Sequence, residues 1–202
     1  MRNVRVGNQY TSLIKSLITA HQPIQPSHCL ARILAAVNHY YSNSFESHSA
    51  RDDAHCVMHT HTLPGMAVAA CEEGLLQLNQ ISTEFYQRVG YHPYEGASFD
   101  LDERARIQRS LGENIALILQ SHGLLSVGRT IADAFYIMYY LNRACEIQLA
   151  AAQLSPLGTI RTIPEPLSHH ACQQLMGVEQ ERQLVWQAWL RRLDRIDDSY
   201  KK

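Results

Sequence analysis

Residues 57–70 read VMHTHTLPGMAVAA, and residues 121–151 read SHGLLSVGRTIADAFYIMYYLNRACEIQLAA. The first stretch joins a short apolar strand pattern to a helix pattern, and the second leads from a histidine at a turn into a long helix pattern. In the first stretch His59 and His61 stand one residue apart on a strand, so their side chains point to the same face. His122 follows a second apolar strand, residues 114–120, at a tight turn. A third imidazole there can complete a three-nitrogen face for a divalent metal with one position left open, which is typical of catalytic zinc sites.

An isolated His-x-His also arises by chance in a chain that has eleven histidines. The sequence around this one resembles the class II aldolase/adducin family from about His48 to about Gln153, in motif order, spacing and intervening elements. The resemblance implies a three-layer α/β/α domain with a mainly antiparallel central sheet. It also implies that His59, His61 and His122 bind Zn²⁺, or another divalent cation such as Mn²⁺ or Co²⁺.

The N-terminal part of the family domain is not matched. Residues 1–45 contain no Asp or Glu, and the Gly/Ser-rich loops that hold a substrate phosphate in the family are not visible there. We expect a divergent or shortened segment over residues 1–45, followed by a family-like domain with a helical C-terminal tail over residues 46–202. An organelle transit peptide is the alternative, although Pro23 and Pro26 interrupt the segment.

The resemblance leaves the acid/base group open. Family aldolases place a glutamate upstream of the first zinc histidine, and Tyr40 stands at that position in this chain. Glu46 can take the role only after a small change of register. His48 is the other candidate for acid/base catalysis, and packing of a helix is its alternative role.

The remaining patterns are mostly helical. Gly112 and Gly74 are expected to end two of the helices, and Thr130 with Asp133 forms a capping box at the start of the longest one. His92 is predicted to lie in a loop before Pro93 and to be exposed to solvent. His169 and His170, which are neighbours in the sequence, are also expected on the surface. The predicted helices are residues 65–73, 100–111, 132–153, 168–176 and 179–194, and a strand is predicted over residues 75–82.

The composition suits one globular domain, because 46% of the 202 residues are hydrophobic and the net charge is only −1. Near-neutral charge gives no reason to expect nucleic acid or an anionic membrane as partner, and no apolar run is long enough to span a membrane. Five cysteines without a CxxC pair indicate reduced thiols in a cytoplasmic protein. The resemblance implies a small-molecule substrate and a homo-oligomer, commonly a tetramer.

Two functions are compatible with these features. The first is a metal-dependent lyase or epimerase of the class II aldolase type, which acts on a sugar or sugar phosphate through a metal-stabilised enediolate. The alternative is a non-catalytic, adducin-like scaffold or a degenerate family member. Adducin-like domains generally lose the metal histidines, so their retention favours metal binding. The missing glutamate and phosphate loops argue against efficient aldol chemistry on phosphorylated sugars.

Overall fold

The computed structural model of the protein describes residue 51 and residues 53–96, 103–176 and 179–196. One compact unit spans Ser49–Glu179, and the chain from Gln180 onward belongs to a second unit. The sheet and the three histidines of the two motifs lie in the first unit. The boundary predicted between residues 1–45 and 46–202 lies outside the described residues.

The middle layer of the first unit is a four-stranded sheet with the strand order β1-β4-β3-β2. Strand β4 runs antiparallel to both of its neighbours, β1 and β3, whereas β2 runs parallel to β3. Two of the three pairings are therefore antiparallel, and the prediction of a mainly antiparallel sheet is confirmed. The strands are β1 (Cys56–Thr60), β2 (Val89–His92), β3 (Ala116–Leu119) and β4 (Gly123–Gly128).

One face of the sheet is covered by the longest helix. The helices of the first unit are α1 (Leu63–Ala69), α2 (Gln80–Thr83), α3 (Glu103–Leu111), α4 (Ile131–Ala152) and α5 (Glu165–Met176). Helix α4 packs on β4, where Ser126 Oγ donates a hydrogen bond of 2.8 Å to the carbonyl oxygen of Ala134. It also reaches β1, where Thr60 Oγ1 lies 3.2 Å from Met138 Sδ.

Helix α3 covers the opposite face. A Cβ added to Gly90 would lie 2.2 Å from the carbonyl oxygen of Ser110 on α3 and 2.9 Å from Leu117 Cδ1, so Leu117 points towards α3. Leu117 pairs with Leu125, the neighbour of Ser126, and consecutive strand residues point to opposite faces. Helices therefore lie on both faces, which confirms the three-layer α/β/α arrangement and explains why every residue of β3 and β4 is buried.

The start of α4 follows the predicted capping box. Thr130 Oγ1 accepts a hydrogen bond of 3.2 Å from the backbone N–H of Asp133. In return, Asp133 Oδ2 accepts one of 3.1 Å from the backbone N–H of Thr130. These bonds satisfy two amides that have no partner within the helix, so a helix of 22 residues begins at Ile131.

The first helix begins earlier and ends sooner than residues 65–73, the range predicted for it. Thr62 is the N-cap, and its Oγ1 accepts a hydrogen bond of 3.2 Å from the backbone N–H of Gly65. Pro64 lies in the first turn, where a missing N–H is harmless. The helix ends at Ala69 with Ala70 as its C-cap, and Gly74 (φ +62°) stands in the following turn.

The prediction of a strand over residues 75–82 is wrong. The backbone of this segment bonds to side chains instead of a neighbouring strand, since Gln148 Oε1 accepts a hydrogen bond of 2.8 Å from the N–H of Leu76. Asn79 then caps α2, with its Oδ1 2.9 Å from the N–H of Ile81 and 3.2 Å from that of Ser82. An Asn followed three residues later by Ser is a cap pattern that outweighs the apolar residues before it.

The two C-terminal helices are confirmed, with α5 beginning earlier than predicted and α6 spanning Glu179–Ile196. His169 and His170 on α5 are exposed, as predicted. Among the described helices, none is both long and apolar enough to cross a membrane. The four cysteines in the described part of the chain are free thiols.

Candidate metal centre

Strand β1 delivers the first two histidines. His59 is the fourth residue of the strand and pairs with Leu125 of β4, while His61 follows two residues later, just past the strand end. Because the side chains alternate, both rings lie on the same side of the chain. Their Nε2 atoms are 2.7 Å apart.

The turn between β3 and β4 delivers the third histidine. Ser121 holds this turn in the left-handed region (φ +55°), and its N–H donates a hydrogen bond of 2.8 Å to the carbonyl oxygen of Ala69. The N–H of His122 bonds the carbonyl oxygen of Leu119 at 3.0 Å, which closes the turn. A non-glycine residue at positive φ is strained and persists only where its surroundings fix it, so the position of His122 is well determined.

The three rings converge. Their centroids are 4.4 Å apart for His59 and His61, 4.8 Å for His59 and His122, and 4.7 Å for His61 and His122. One ring nitrogen from each histidine lies within 4.8 Å of the other two. The structure thus brings together all three histidines that the sequence analysis selected.

Burial makes these imidazoles neutral. Only 2% of His59 is exposed, and burial, followed by repulsion from His61 and His122, lowers its pKa to about 3. Burial also lowers the pKa values of His61 and His122. A neutral imidazole has one nitrogen lone pair available, which is the form that binds metals.

The tautomer of His59 is fixed by the backbone of β4. Its Nδ1 lies 2.9 Å from the carbonyl oxygen of Leu124, which can only accept, so Nδ1–H donates and Nε2 carries the lone pair. A hydrogen bond from the second ring nitrogen to a carbonyl is usual for metal-ligating histidines.

The residues present fit a divalent cation. Two ligands of a tetrahedral zinc, each about 2.1 Å from the ion, are about 3.4 Å apart. The Nε2 atoms of His59 and His61 lie 2.7 Å apart and need to separate by only a fraction of an ångström. His61 and His122 are half-buried, so the cluster opens to solvent and has room for a further ligand.

Sequence reasoning missed the contacts that support this cluster from α4. Thr62, directly after His61, makes a close hydrogen bond from its Oγ1 to Asn142 Oδ1. Asn142 is oriented in turn by a hydrogen bond of 2.7 Å from its Nδ2 to Glu146 Oε1. The Thr62–Leu63–Pro64 sequence carries the signal for the helix start, but nothing local indicates the residue of α4 that Thr62 meets.

A small cleft lies beside His122. His122 lines it together with Leu119 and Gln120, and so does His92 from the adjacent strand β2. The prediction that His92 is exposed is wrong, because it is the last residue of β2 and only 3% of it is accessible.

The two candidates for acid/base catalysis, Glu46 and His48, lie outside the described residues, as does Tyr40. The structure therefore describes the three histidines without these residues, and the roles of Glu46 and His48 stay predictions.

Comparison with known proteins gives a match to the family model of the class II aldolase and adducin N-terminal domain over residues 44–149. A Pseudomonas aeruginosa protein, provisionally named an aldolase class 2 protein, is 40% identical over 160 residues, which are 77% of this chain and 61% of that protein. Rat alpha-adducin is 43% identical over 103 residues, which are 50% of this chain and 14% of adducin. The chain thus spans about three fifths of the first relative's length.

Solved structures show the same fold. An aldolase II superfamily protein from Pseudomonas syringae has a TM-score of 0.73 at 34% identity, over 81% of this chain and 65% of that one. An L-fuculose 1-phosphate aldolase from Glaciozyma antarctica has a TM-score of 0.57 at 28% identity, over 69% of this chain and 51% of the aldolase.

Proposed function

The chain belongs to the class II aldolase and adducin family, and we propose that it binds a divalent cation such as Zn²⁺ through His59, His61 and His122. We further propose lyase or epimerase chemistry on a hydroxy-carbonyl compound, a sugar or sugar phosphate. The similarity to an L-fuculose 1-phosphate aldolase supports this substrate class.

The observation that carries the proposal is the convergence of three neutral imidazoles. The Nε2 atoms of His59 and His61 lie 2.7 Å apart, and His59 is buried, so a single proton on His61 can bridge these two nitrogens. A bound cation satisfies all three nitrogens at once, whereas a shared proton satisfies two.

Each part of the cluster has a task in the proposed reaction. A divalent ion, when bound, stabilises the negative charge that develops on a substrate oxygen as an adjacent C–C or C–H bond breaks. The carbonyl oxygen of Leu124 keeps His59 in the ligating tautomer. His61 and His122 are half-buried, so a small substrate can reach the cluster from the solvent side.

Proton transfer needs a further group, for which we propose Glu46 or His48. Both stand upstream of β1, but the match to family aldolases puts Tyr40 at the acid/base position, so Glu46 takes the role only after a small change of register. Glu46→Gln and His48→Gln each remove a titratable group while the size of the side chain changes little. If one of them transfers the proton, that variant keeps its metal content and loses turnover.

The first experiment measures metal. The protein is loaded with excess Zn²⁺, desalted and analysed for zinc per chain, beside the His59→Ala/His61→Ala variant. A matched control, His169→Ala/His170→Ala, removes two exposed histidines from α5. We expect the first variant to lose about one zinc per chain relative to the unmodified protein and the control to lose none. An equal zinc content in all three proteins would overturn the proposed site.

The second experiment measures turnover with L-fuculose 1-phosphate and related ketose phosphates, detected by release of the aldehyde product. We expect activity in the zinc-loaded protein and none in the His59→Ala/His61→Ala variant. Absence of turnover on sugars and sugar phosphates, in protein that does bind zinc, would overturn the catalytic part of the proposal while the metal site stands.

A non-catalytic scaffold is the second candidate, favoured by the 43% identity to alpha-adducin over 103 residues. The His122→Ala variant separates the two. Loss of both metal and turnover supports the enzyme, whereas loss of metal without any change in function supports the scaffold.

A further inference from the structure

A second group of ligand atoms lies on the α3 face of the sheet. His92 is the last residue of β2, and Glu103 is the first residue of α3, which packs directly on that strand. Glu95 follows His92 three residues later. One ligand atom from each of these residues lies within 4.8 Å of the other two. His92 and Glu103 are both buried, with 3% and 5% of their surfaces exposed.

The His92 ring is oriented by a hydrogen bond. Its Nδ1 lies 2.9 Å from Ser110 Oγ, near the C-terminal end of α3. With the proton on Nδ1, the ring donates to the serine and holds the Nε2 lone pair towards the two carboxylates. This is the arrangement in which histidines bind metals, with the second nitrogen fixed by a hydrogen bond.

The buried Nε2 atom of His92 has no hydrogen-bond partner among the described residues. It faces Glu103 Oε1 at 3.8 Å and Glu95 Oε1 at 4.0 Å, and both distances are too long for hydrogen bonds. Burying a polar nitrogen without a hydrogen-bond partner is energetically unfavourable. A ligand between the three side chains is the simplest partner.

The spacing and chemistry of the three groups suit a metal ion. Ligands about 2.1 Å from a tetrahedral ion are about 3.4 Å apart, and wider angles increase this distance towards 4.2 Å. The observed 3.8 and 4.0 Å lie in that range. One imidazole with two carboxylates is a set that zinc, manganese and cobalt accept. We propose that His92, Glu95 and Glu103 form a second divalent-cation site, separate from the His59–His61–His122 cluster.

Arg106 is the neighbouring charge that this site must accommodate. Its Nη2 lies 2.6 Å from Glu95 Oε2, and its Nε lies 3.0 Å from Glu95 Oε1. Each carboxylate oxygen has two lone pairs, so Glu95 can contact both the guanidinium and a cation. Arg106 lowers the net negative charge and thereby weakens the site, while it also fixes the orientation of Glu95.

The position of this site gives it a connection to the proposed reaction. His92, Glu95 and Glu103 line the same cleft as His122. An ion on these residues therefore lies in the small cleft that adjoins His122 of the proposed metal centre. It would attract the anionic part of a substrate, such as a phosphate, in a chain where the phosphate-binding loops of the family are not visible.

Cobalt(II) tests this site, because it substitutes for zinc and absorbs visible light. Equilibrium dialysis with Co²⁺ is carried out on the full chain and on three variants, namely His92→Gln, His59→Ala/His61→Ala and the combination of all three substitutions. We expect about two Co²⁺ per unmodified chain, about one in each of the first two variants and none in the combination. The exposed His170 supplies the control, since His170→Gln should still bind two.

The outcomes separate the two sites. Cobalt that is lost with His92→Gln but retained in His59→Ala/His61→Ala supports the second site whatever happens at the first. One Co²⁺ per unmodified chain and none in His59→Ala/His61→Ala would overturn the second site. If His92→Gln does not fold, Glu103→Gln replaces it, and Co²⁺ affinity at this site should fall about tenfold or more. Unchanged binding in folded Glu103→Gln also refutes the site.

Discussion

Replacing Gly123 by alanine should disturb both the sheet and the proposed metal centre. The backbone of Gly123 passes so close to the end of β1 that an added Cβ would lie 2.4 Å from the carbonyl oxygen of Thr60. The same Cβ would lie 3.0 Å from His61 Cδ2 and 3.4 Å from His59 Cε1. Gly158 offers a matched control, since a Cβ added there meets nothing within 4 Å.

The size of the effect follows from these contacts. A carbon and a carbonyl oxygen approach to about 3.3 Å at the closest, so β1 and the turn must move apart by almost 1 Å. Overpacking of this kind costs about 1–3 kcal/mol of unfolding free energy. For a domain of this size, that corresponds to a decrease of roughly 2–12 °C in the melting temperature. The rings of His59 and His61 must also shift, which weakens metal binding at the cluster.

Thermal unfolding of metal-free Gly123→Ala and Gly158→Ala, followed by circular dichroism, measures the first effect. The effect on metal binding is measured as the zinc affinity of the same two variants. Each variant also carries His92→Gln, so that only the His59–His61–His122 cluster is observed. We expect about tenfold weaker zinc binding in Gly123→Ala. If both variants unfold at the same temperature and bind zinc equally well, the close contact at Gly123 does not exist in solution and the reasoning fails.

Three further predictions concern the cap, a buried thiol and the pH dependence of stability. Thr130→Ala should lower the free energy of unfolding by about 1 kcal/mol, because the capping box is lost. Urea denaturation measures this change, and Thr159→Ala, at an exposed position, should leave the free energy of unfolding unchanged. Cys145 should resist alkylation by iodoacetamide at pH 8 until the protein is unfolded, because burial raises the pKa of its thiol to about 12. Peptide mass spectrometry measures the alkylation, and an alkylated Cys145 in native protein would contradict this prediction. Metal-free protein should lose stability as the pH falls from 6.5 towards 3, because the pKa of His59 is about 3 in the folded state and 6.5 ordinarily, so only the unfolded chain takes up the proton. The slope from this residue is about 1.4 kcal/mol per pH unit, and His59→Asn should reduce the measured slope.

The parts of the fold that could be predicted are those encoded by local patterns. Thr130 and Asp133 mark the beginning of α4 because both halves of the capping box lie within one helical turn. His59 and His61 share a side of the chain because the period of a strand is two. Neither prediction needs knowledge of residues far away in the chain.

The strand predicted over residues 75–82 failed for the opposite reason. The hydrogen bonds of this segment come from distant side chains, namely Gln148 on α4 and Tyr91 on β2, whose hydroxyl oxygen lies 3.0 Å from the N–H of Leu75. An apolar run next to such partners needs no neighbouring strand to satisfy its backbone. The sequence shows the apolar residues but not the side chains that bind their amides.

The prediction for His92 failed because the parallel pairing of β2 with β3 joins residues far apart in the chain. The sequence alone indicates an exposed histidine before a proline. In the structure Leu119 pairs with His92, and Ser110 Oγ lies within hydrogen-bond distance of its ring. The same pairing explains why the two groups of candidate metal ligands lie close together. Strand β4 is antiparallel to β1 and β3, and β2 is parallel to β3, so β1, β2 and β3 all run in one direction.

The carboxyl ends of β1, β2 and β3 therefore meet at one end of the sheet. His61 follows the end of β1, His92 ends β2, and His122 follows the end of β3. In open sheets with helices on both faces, ligands bind outside the carboxyl ends of the strands, where the loops diverge and leave a cleft. Sequence reasoning could find the His59–His61–His122 cluster, because its members lie in two motifs that the sequence shows directly. The ligands around His92 become visible only when α3 is placed against β2, and a buried imidazole nitrogen that faces two carboxylates is then the feature that a metal-binding experiment can test.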